Sequence, residues 1–309
     1  MRLAVIGIAA IGLAGCEFVE MGSSDKYQSD FHYTYDLTPD GRVSAESFNG
    51  SVDIDGWDQN KVEISGTKYG NTEALRDQVK IEINQTPASI EIRAVRTGSH
   101  EGSSGARFTI HVPRGANVER VTSSNGHIKI RDIAKAERLV TSNGAITATS
   151  LRGDVDARTS NNSIEIEEVK GAATLKSSNG RIKIDSVGGP LDAETSNNSI
   201  SARLDSAPAA ETKLHTSNGS IDLTLGASPK ADIRAETRNN GITVHLPPGA
   251  AVHLVADTSN GSVTSEFDLT SKGDEKAKHH IDGVIGGGGP RLDLSTSNGS
   301  IRILKTSGN

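Results

Sequence analysis

From about residue 120 onward, hydrophobic and polar positions alternate in short bursts, and each burst reverses phase at the same kind of site. The element Ser/Thr-Ser-Asn-Gly/Asn-x-Ile recurs with its asparagine at Asn125, Asn143, Asn161, Asn179 and Asn197, a spacing of 18 residues. The spacing widens to 21 for Asn218, Asn239 and Asn260, and the element returns at Asn298 after a gap of 38. Four residues before the asparagine stands an apolar residue, as in Leu139, Ala157, Leu175, Ala193 and Leu214, and two before it a Thr or Ser. Three after it comes an isoleucine, for example Ile128, Ile146, Ile164 or Ile182, and two further on another apolar side chain such as Ile130, Ile166 or Ile184. Both arms have period 2, which predicts half-buried β-strands. The phase changes at the Asn-Gly or Asn-Asn pair, so the chain is expected to turn there, using residues that tolerate positive φ. A second corner is marked by Gly153, Gly171 and Gly189. Two strands and two turns then make one rung.

A single rung cannot bury its own apolar side, whereas rungs stacked about 4.8 Å apart by main-chain hydrogen bonds enclose a continuous thin core. The pattern therefore predicts an all-β chain folded as a single-chain β-solenoid (β-helix-like), with rungs of 18 to 21 residues and two short strands each. Stacking would place the nine asparagines in a structural turn ladder. Phase alternation predicts that their side chains point inward at the bend and satisfy one another's amides. The longer rungs arise where Leu225-Gly226-Ala227-Ser228-Pro229 and Leu246-Pro247-Pro248-Gly249 replace the compact corner by a wider turn.

Residues 45–305 are expected to form the solenoid: irregular N-terminal rungs over 45–120, regular rungs over 121–265, a loop excursion over 271–290 and a last rung over 291–305. A degenerate copy of the repeat, Phe48-Asn49-Gly50-Ser51-Val52, opens it. Asn71 to Gln78 is the one stretch with helical character.

Composition narrows the picture. Aromatic residues make up 3% and methionine is nearly absent, so a wide core of large side chains is excluded and a slender one of small and β-branched residues fits. A net charge of −6 argues against a nucleic-acid partner, which calls for a clustered basic surface. At the N-terminus, Met1-Arg2 precedes an apolar run from Leu3 to Leu13, too short for a membrane-spanning helix of roughly 20 residues. It reads as a signal peptide over 1–15. Leu13-Ala14-Gly15-Cys16 resembles the bacterial lipobox, which implies cleavage before Cys16, the only cysteine, and lipidation of its thiol. Several acyl chains give stable anchoring. Residues 16–44 would then be the lipidated cysteine and a flexible tether. Glu17, not being Asp, matches the sorting pattern for an outer-membrane lipoprotein in a Gram-negative host.

Gly50-Ser51-Val52-Asp53-Ile54-Asp55-Gly56-Trp57-Asp58 with Val62-Glu63-Ile64, then Phe108-Thr109-Ile110-His111-Val112-Pro113-Arg114-Gly115-Ala116, then the serial Ser-Asn-Gly rungs, carry a family resemblance. Together they resemble the bacterial β-strand-repeat domain of unknown function named as an adhesin, over roughly residues 45–305. The resemblance implies a β-helix-like fold in an extracytoplasmic setting and brings no catalytic residues with it.

Candidate chemistry is sparse. The turns offer Ser, Asn and Gly without a carboxylate, so calcium of the nonapeptide β-roll kind is not expected. Asp53, Asp55 and Asp58 fit the solvated side of a strand, and His279-His280, beside Lys278 and Asp282, an exposed loop. A glycosidase needs two carboxyl groups held about 5 to 9 Å apart. The outward column Lys129, Thr147, Glu165, Lys183, Ser201, Asp222, Thr243, Thr264 and Arg302 has mixed signs instead, with Glu165 and Lys183 as a cross-strand pair. No catalytic residue, metal or small-molecule cofactor is expected. The expected partners are the membrane, through the lipid, and an unidentified envelope or surface component, for which the solenoid is an interaction scaffold. A carbohydrate-active β-helix enzyme acting on polysaccharide is the alternative.

Overall fold

The computed structural model describes residues 25–98, 102–271 and 278–306. Cys16 and the apolar segment before it lie outside them. Among the described residues the chain forms two long sheets of 13 and 14 strands, and each regular rung gives one strand to each sheet. Strands Ile146–Leu151, Ile164–Val169 and Ile182–Val187 pair in parallel, with Ile146 opposite Ile164 and Ile164 opposite Ile182. On the facing sheet Val155–Thr159, Ala173–Ser177 and Leu191–Thr195 do the same. The fold is thus a two-sheet β-solenoid.

Its core is a set of columns. Ile128, Ile146, Ile164, Ile182, Ile200, Ile221, Ile242 and Ile301 are all buried and lie one above another. Across from them the column Leu139, Ala157, Leu175, Ala193, Leu214, Ala235, Leu294, Ala256 alternates large and small at every step. Each leucine can spread over the alanines of its neighbouring rungs, which fills a narrow interior without voids.

At both ends the spatial order of the rungs departs from chain order. The rung of residues 42–57 lies between those of 89–113 and 117–131. Likewise the final segment, Arg291–Thr296 and Ile301–Lys305, is inserted between the rungs of 233–246 and 252–265, so it is not the outermost rung. A chain end bonded on both sides is protected from the fraying that a free edge suffers.

Two expected boundaries are corrected. The stretch read as tether holds strands Tyr27–Asp36 and Arg42–Ser47, because Tyr27–Asp36 pairs antiparallel with Lys61–Gly70. The 271–290 excursion holds the strand His280–Ile285, antiparallel to Val252–Thr258. His280 therefore belongs to a strand, bonded through Nδ1 to Asp257 at 2.5 Å, and His253 meets Asp282 at 2.7 Å across the same seam. The helix-like stretch contains a short helix, Glu73–Asp77, capped by the Thr72 hydroxyl.

Truncating a buried column residue should leave a cavity that neighbouring rungs cannot close. Ile164→Ala is expected to lower unfolding free energy by about 2–5 kcal/mol in urea titrations, against about 0–1 kcal/mol for Glu165→Ala on the solvated side. The His253 hydrogen bond holds the Asp282 carboxyl below its ordinary value. A depressed folded-state pKa gives stability that is present above the unfolded value and lost as pH falls through the folded one. Protection of the His280–Ile285 amides, measured against their intrinsic exchange rates, should therefore be higher at neutral pH and fall as pH drops below about 4.

Candidate functional site

The turn that carries the repeat motif is built from two hydrogen-bonded ladders. The outer one is the asparagines: the Asn143 amide donates to Asn125 Oδ1 at 2.7 Å, Asn161 to Asn143 at 2.7 Å, Asn179 to Asn161 at 2.8 Å and Asn197 to Asn179 at 2.7 Å. It continues through Asn218 and Asn239, then Asn298, then Asn260, following the swapped rung order. All nine side chains are exposed, so the inward orientation expected of them is wrong. The inward place at the bend is held by the Ser or Thr two residues earlier.

Those hydroxyls make the inner ladder. Thr141, Thr159 and Thr195 are buried and donate to the carbonyls of Gly126, Gly144 and Gly180 on the preceding rung at 3.0, 2.8 and 2.9 Å. Several also accept from their own turn, as Gly144 N–H does to Thr141 Oγ1 at 3.2 Å. The hydroxyl was visible in the sequence at a fixed offset, but only burial assigns it the role of satisfying turn carbonyls that water cannot reach.

Positive φ is not what selects glycine here. From Asn125 to Gly299 no Asn or Gly of these turns is left-handed; Gly50 in the opening copy is the exception. A Cβ on Gly144 would instead overlap the Gly126 carbonyl oxygen, and one on Gly180 that of Asn162. Where Asn replaces Gly, its side chain closes the turn: Asn162 accepts from Ser163 N–H at 2.9 Å and reaches the Asn143 carbonyl at 3.4 Å. Gly144, Asn162, Gly180, Asn198, Gly219 and Asn240 alternate, in step with the Leu/Ala alternation of the core. The true period is two rungs.

The second corner forms a concavity. Asp132, Ser150, Glu168 and Ser186 have φ of 57, 55, 55 and 62°, a column of left-handed non-glycine residues on four successive rungs. Gly153, Gly171 and Gly189, expected to bend the chain, are not left-handed. Ser150, Glu168 and Ser186 are each an extra residue, a bulge, in the in-and-out alternation of their strands, and Asp132 directly follows the strand Ile128–Arg131: Thr149 pairs with Glu167 and Leu151 with Val169, while Ser150 and Glu168 fall between. This bulge restores the following residue to the core, burying Ile133, Leu151 and Val169. Such backbone costs about 1–3 kcal/mol per residue, so its fourfold repetition marks a feature the fold sustains.

The bulges line a groove of about 590 Å³ running along the stack. Leu151, Val169 and Val187 contribute an aliphatic floor, and Ser150, Ser186, Arg152, Lys170, Glu168 and Asp205 contribute polar walls. Its carboxylates are engaged: Glu168 accepts from Ser150 Oγ at 2.9 Å, Asp205 from Arg203 at 2.8 Å, and Asp132 lies 3.6 Å from Arg114. The Arg114 guanidinium is raised above its ordinary value, chiefly by its hydrogen bond to Asp58. Outside the groove the sheet surfaces are self-neutralised by pairs such as Glu165 with Lys183 and Lys176 with Glu194. Among the described residues no three His, Cys, Asp or Glu converge as a metal site.

Removing a rung-to-rung hydroxyl should cost more than removing an exposed amide. Thr159→Val is expected to lower stability by about 1–3 kcal/mol and Asn161→Ala by about 0.5–1.5 kcal/mol in parallel urea titrations. Glu168→Gly, relieving left-handed strain, should raise stability despite the lost bond to Ser150.

Comparison with solved structures finds distant likenesses. A protein of Clostridium sporogenes named for cell adhesion is 10% identical, covering 90% of this chain and 100% of its own, at a TM-score of 0.22. Proteins named as adhesins from Bacteroides fragilis and Parabacteroides distasonis are 12% and 10% identical. Each covers 89% of this chain and 97% of its own, with TM-scores of 0.35 and 0.29 respectively. No curated protein matches. The Toastrack DUF4097 family model matches residues 42–250, from the strand Arg42–Ser47 to just past the strand Ile242–Leu246, and the chain accordingly belongs to the Toastrack DUF4097 family.

Proposed function

We propose that this protein is a non-catalytic, exported envelope lipoprotein, anchored at Cys16, that binds a charged, hydroxyl-rich polymer along its corner groove. The observation carrying this is that the groove repeats with the rungs. Ser150, Glu168 and Ser186 occupy equivalent left-handed positions, and Arg152 and Lys170 occupy equivalent positions beside them. A chain lying along the stack would meet hydroxyl, carboxylate and cation in succession, about 4.8 Å per rung. Each contact is weak, and affinity comes from their number. The engagement of the groove carboxylates with Ser150, Arg203 and Arg114 supports binding over hydrolysis, since a glycosidase needs a carboxyl pair available to substrate. Lipidation would hold the rod at a membrane, in a Gram-negative cell the outer one.

Two measurements test this. The unacylated Cys16→Ser chain should be retained by envelope polysaccharide, and Arg152→Glu with Lys170→Glu should weaken retention about tenfold or more, while Glu165→Gln on the open sheet leaves it unchanged. Turnover of a glycan panel without stable retention would reverse the assignment. In cells, the native chain should carry acyl mass and fractionate with membranes, and Cys16→Ser should release it.

A further inference from the structure

The stack does not end flush. At its C-terminal end the outermost strands, Val263–Ser265 and Leu269–Ser271, have three residues each, and buried Phe267 between them closes the core. At the N-terminal end the rung of 117–131 carries four further strands on one sheet and only three on the other. The longer sheet finishes with Tyr27–Asp36 and the shorter with Val79–Thr86, so the first overhangs the second by one strand. The core-side residues of the overhanging strand have no strand facing them.

Those residues are aromatic. Tyr33 pairs with Ile64, Tyr35 with Val62 and Phe31 with Gly66, so the three rings continue core columns past the shorter sheet. Gly66, where a Cβ would strike the Phe31 ring, lets that ring pack edge-on against Phe108 at 5.5 Å. Tyr35 is half-buried, and Tyr33, at 37%, is the one large hydrophobic residue exposed among those described. Below the step, Ile81 and Ile83 are also incompletely covered. The shelf itself carries no charge, because Asp30, His32 and Asp36 occupy the alternate, outward positions of the strand. Eight of the chain's ten aromatic residues fall between 27 and 108 and none between 109 and 266, so this character belongs to one end and not to the repeat.

The entry point of the chain decides what covers this shelf. Asp25, the first described residue, is bonded to Arg107 at this same end. Nine residue steps separate Cys16 from Asp25, and they reach at most about 32 Å fully extended. Acyl chains on Cys16, the reading proposed above on which this step rests, therefore keep the shelf close to the bilayer. Tyrosine, apolar along its ring and polar at its tip, favours the boundary between hydrocarbon and water. We infer that the N-terminal shelf rests on the lipid surface, with Tyr33 and Tyr35 among the headgroups, so that anchor and shelf grip the membrane together. At headgroup depth water still satisfies the unpaired backbone of the edge strands, which the hydrocarbon core would not allow. The rod then stands on this end. Its corner groove begins four strand spacings, about 20 Å, above the lipid and runs away from it.

The chain from residue 16 onward contains every described strand. Coupled through the Cys16 thiol to maleimide-bearing phosphatidylcholine vesicles, it tests the shelf whether or not that thiol is acylated in cells; the acyl-mass measurement tests the anchor separately. In a Trp57→Phe background, Tyr33→Trp should emit at shorter wavelength on vesicles. Nitroxide-bearing lipid should quench it about threefold more strongly than Thr34→Trp, which lies on the other side of the strand. The contrast should persist at high salt, because the shelf is uncharged. Unchanged circular dichroism of both variants separates loss of contact from loss of fold. Equal quenching at the two positions, or none at either, would overturn the inference. So would short-wavelength emission from Tyr33→Trp before coupling, since a second copy or residues 17–24 would then already cover the shelf.

Discussion

Main-chain hydrogen bonding between rungs forces every rung to repeat its neighbour's backbone about 4.8 Å away. Any side chain at a rung position must coexist with its copies above and below, and that requirement shapes both turns. At the asparagine turn, rungs approach so closely that a Cβ on most of the glycines would strike a carbonyl of the rung beneath. The carbonyls themselves, shut away from water, take hydroxyl protons from buried Thr and Ser. The exposed asparagines add a second line of bonds on the outside. Isoleucine columns supply the burial that a thin interior of small residues can hold, and alternation of Leu and Ala keeps it dense.

The second corner shows how the same constraint yields a surface. A strand that ended without an extra residue would send Leu151 or Val169 outward; the left-handed residue corrects the phase and leaves its own side chain at the rim. Because the correction recurs on four rungs, the rims align and a groove results. In the wider 21-residue rungs Leu204, Leu225 and Leu246 are buried directly at the strand ends, without a left-handed residue, and the turn is absorbed by longer segments. Rung length and groove are two consequences of one choice at the corner.

Termini pose the remaining problem for a stack, since the first and last rungs have one neighbour each. Here the final segment, 291–305, and the early rung of 42–57 are threaded between other rungs, and antiparallel strands close the outside. The C-terminal closure is short and plugged by Phe267; the N-terminal one is long and aromatic.

The repeat, the two-strand rung and the solenoid were legible in the residues because period 2 and a fixed offset between apolar positions survive in the linear order. Even the two-rung alternation of Leu139, Ala157, Leu175 and Ala193 with Gly144, Asn162, Gly180 and Asn198 stood there to be read. What the linear order could not give was the direction of the asparagines, the left-handed role of Ser150 and Glu168, or the insertion of 291–305 before 252–265. Each depends on which group already occupies the space beside it: a threonine inside the bend, a leucine needing return to the core, a rung with a free edge. Local pattern determines that the chain must stack; occupancy in three dimensions decides which face each repeated residue receives and in what order the rungs close.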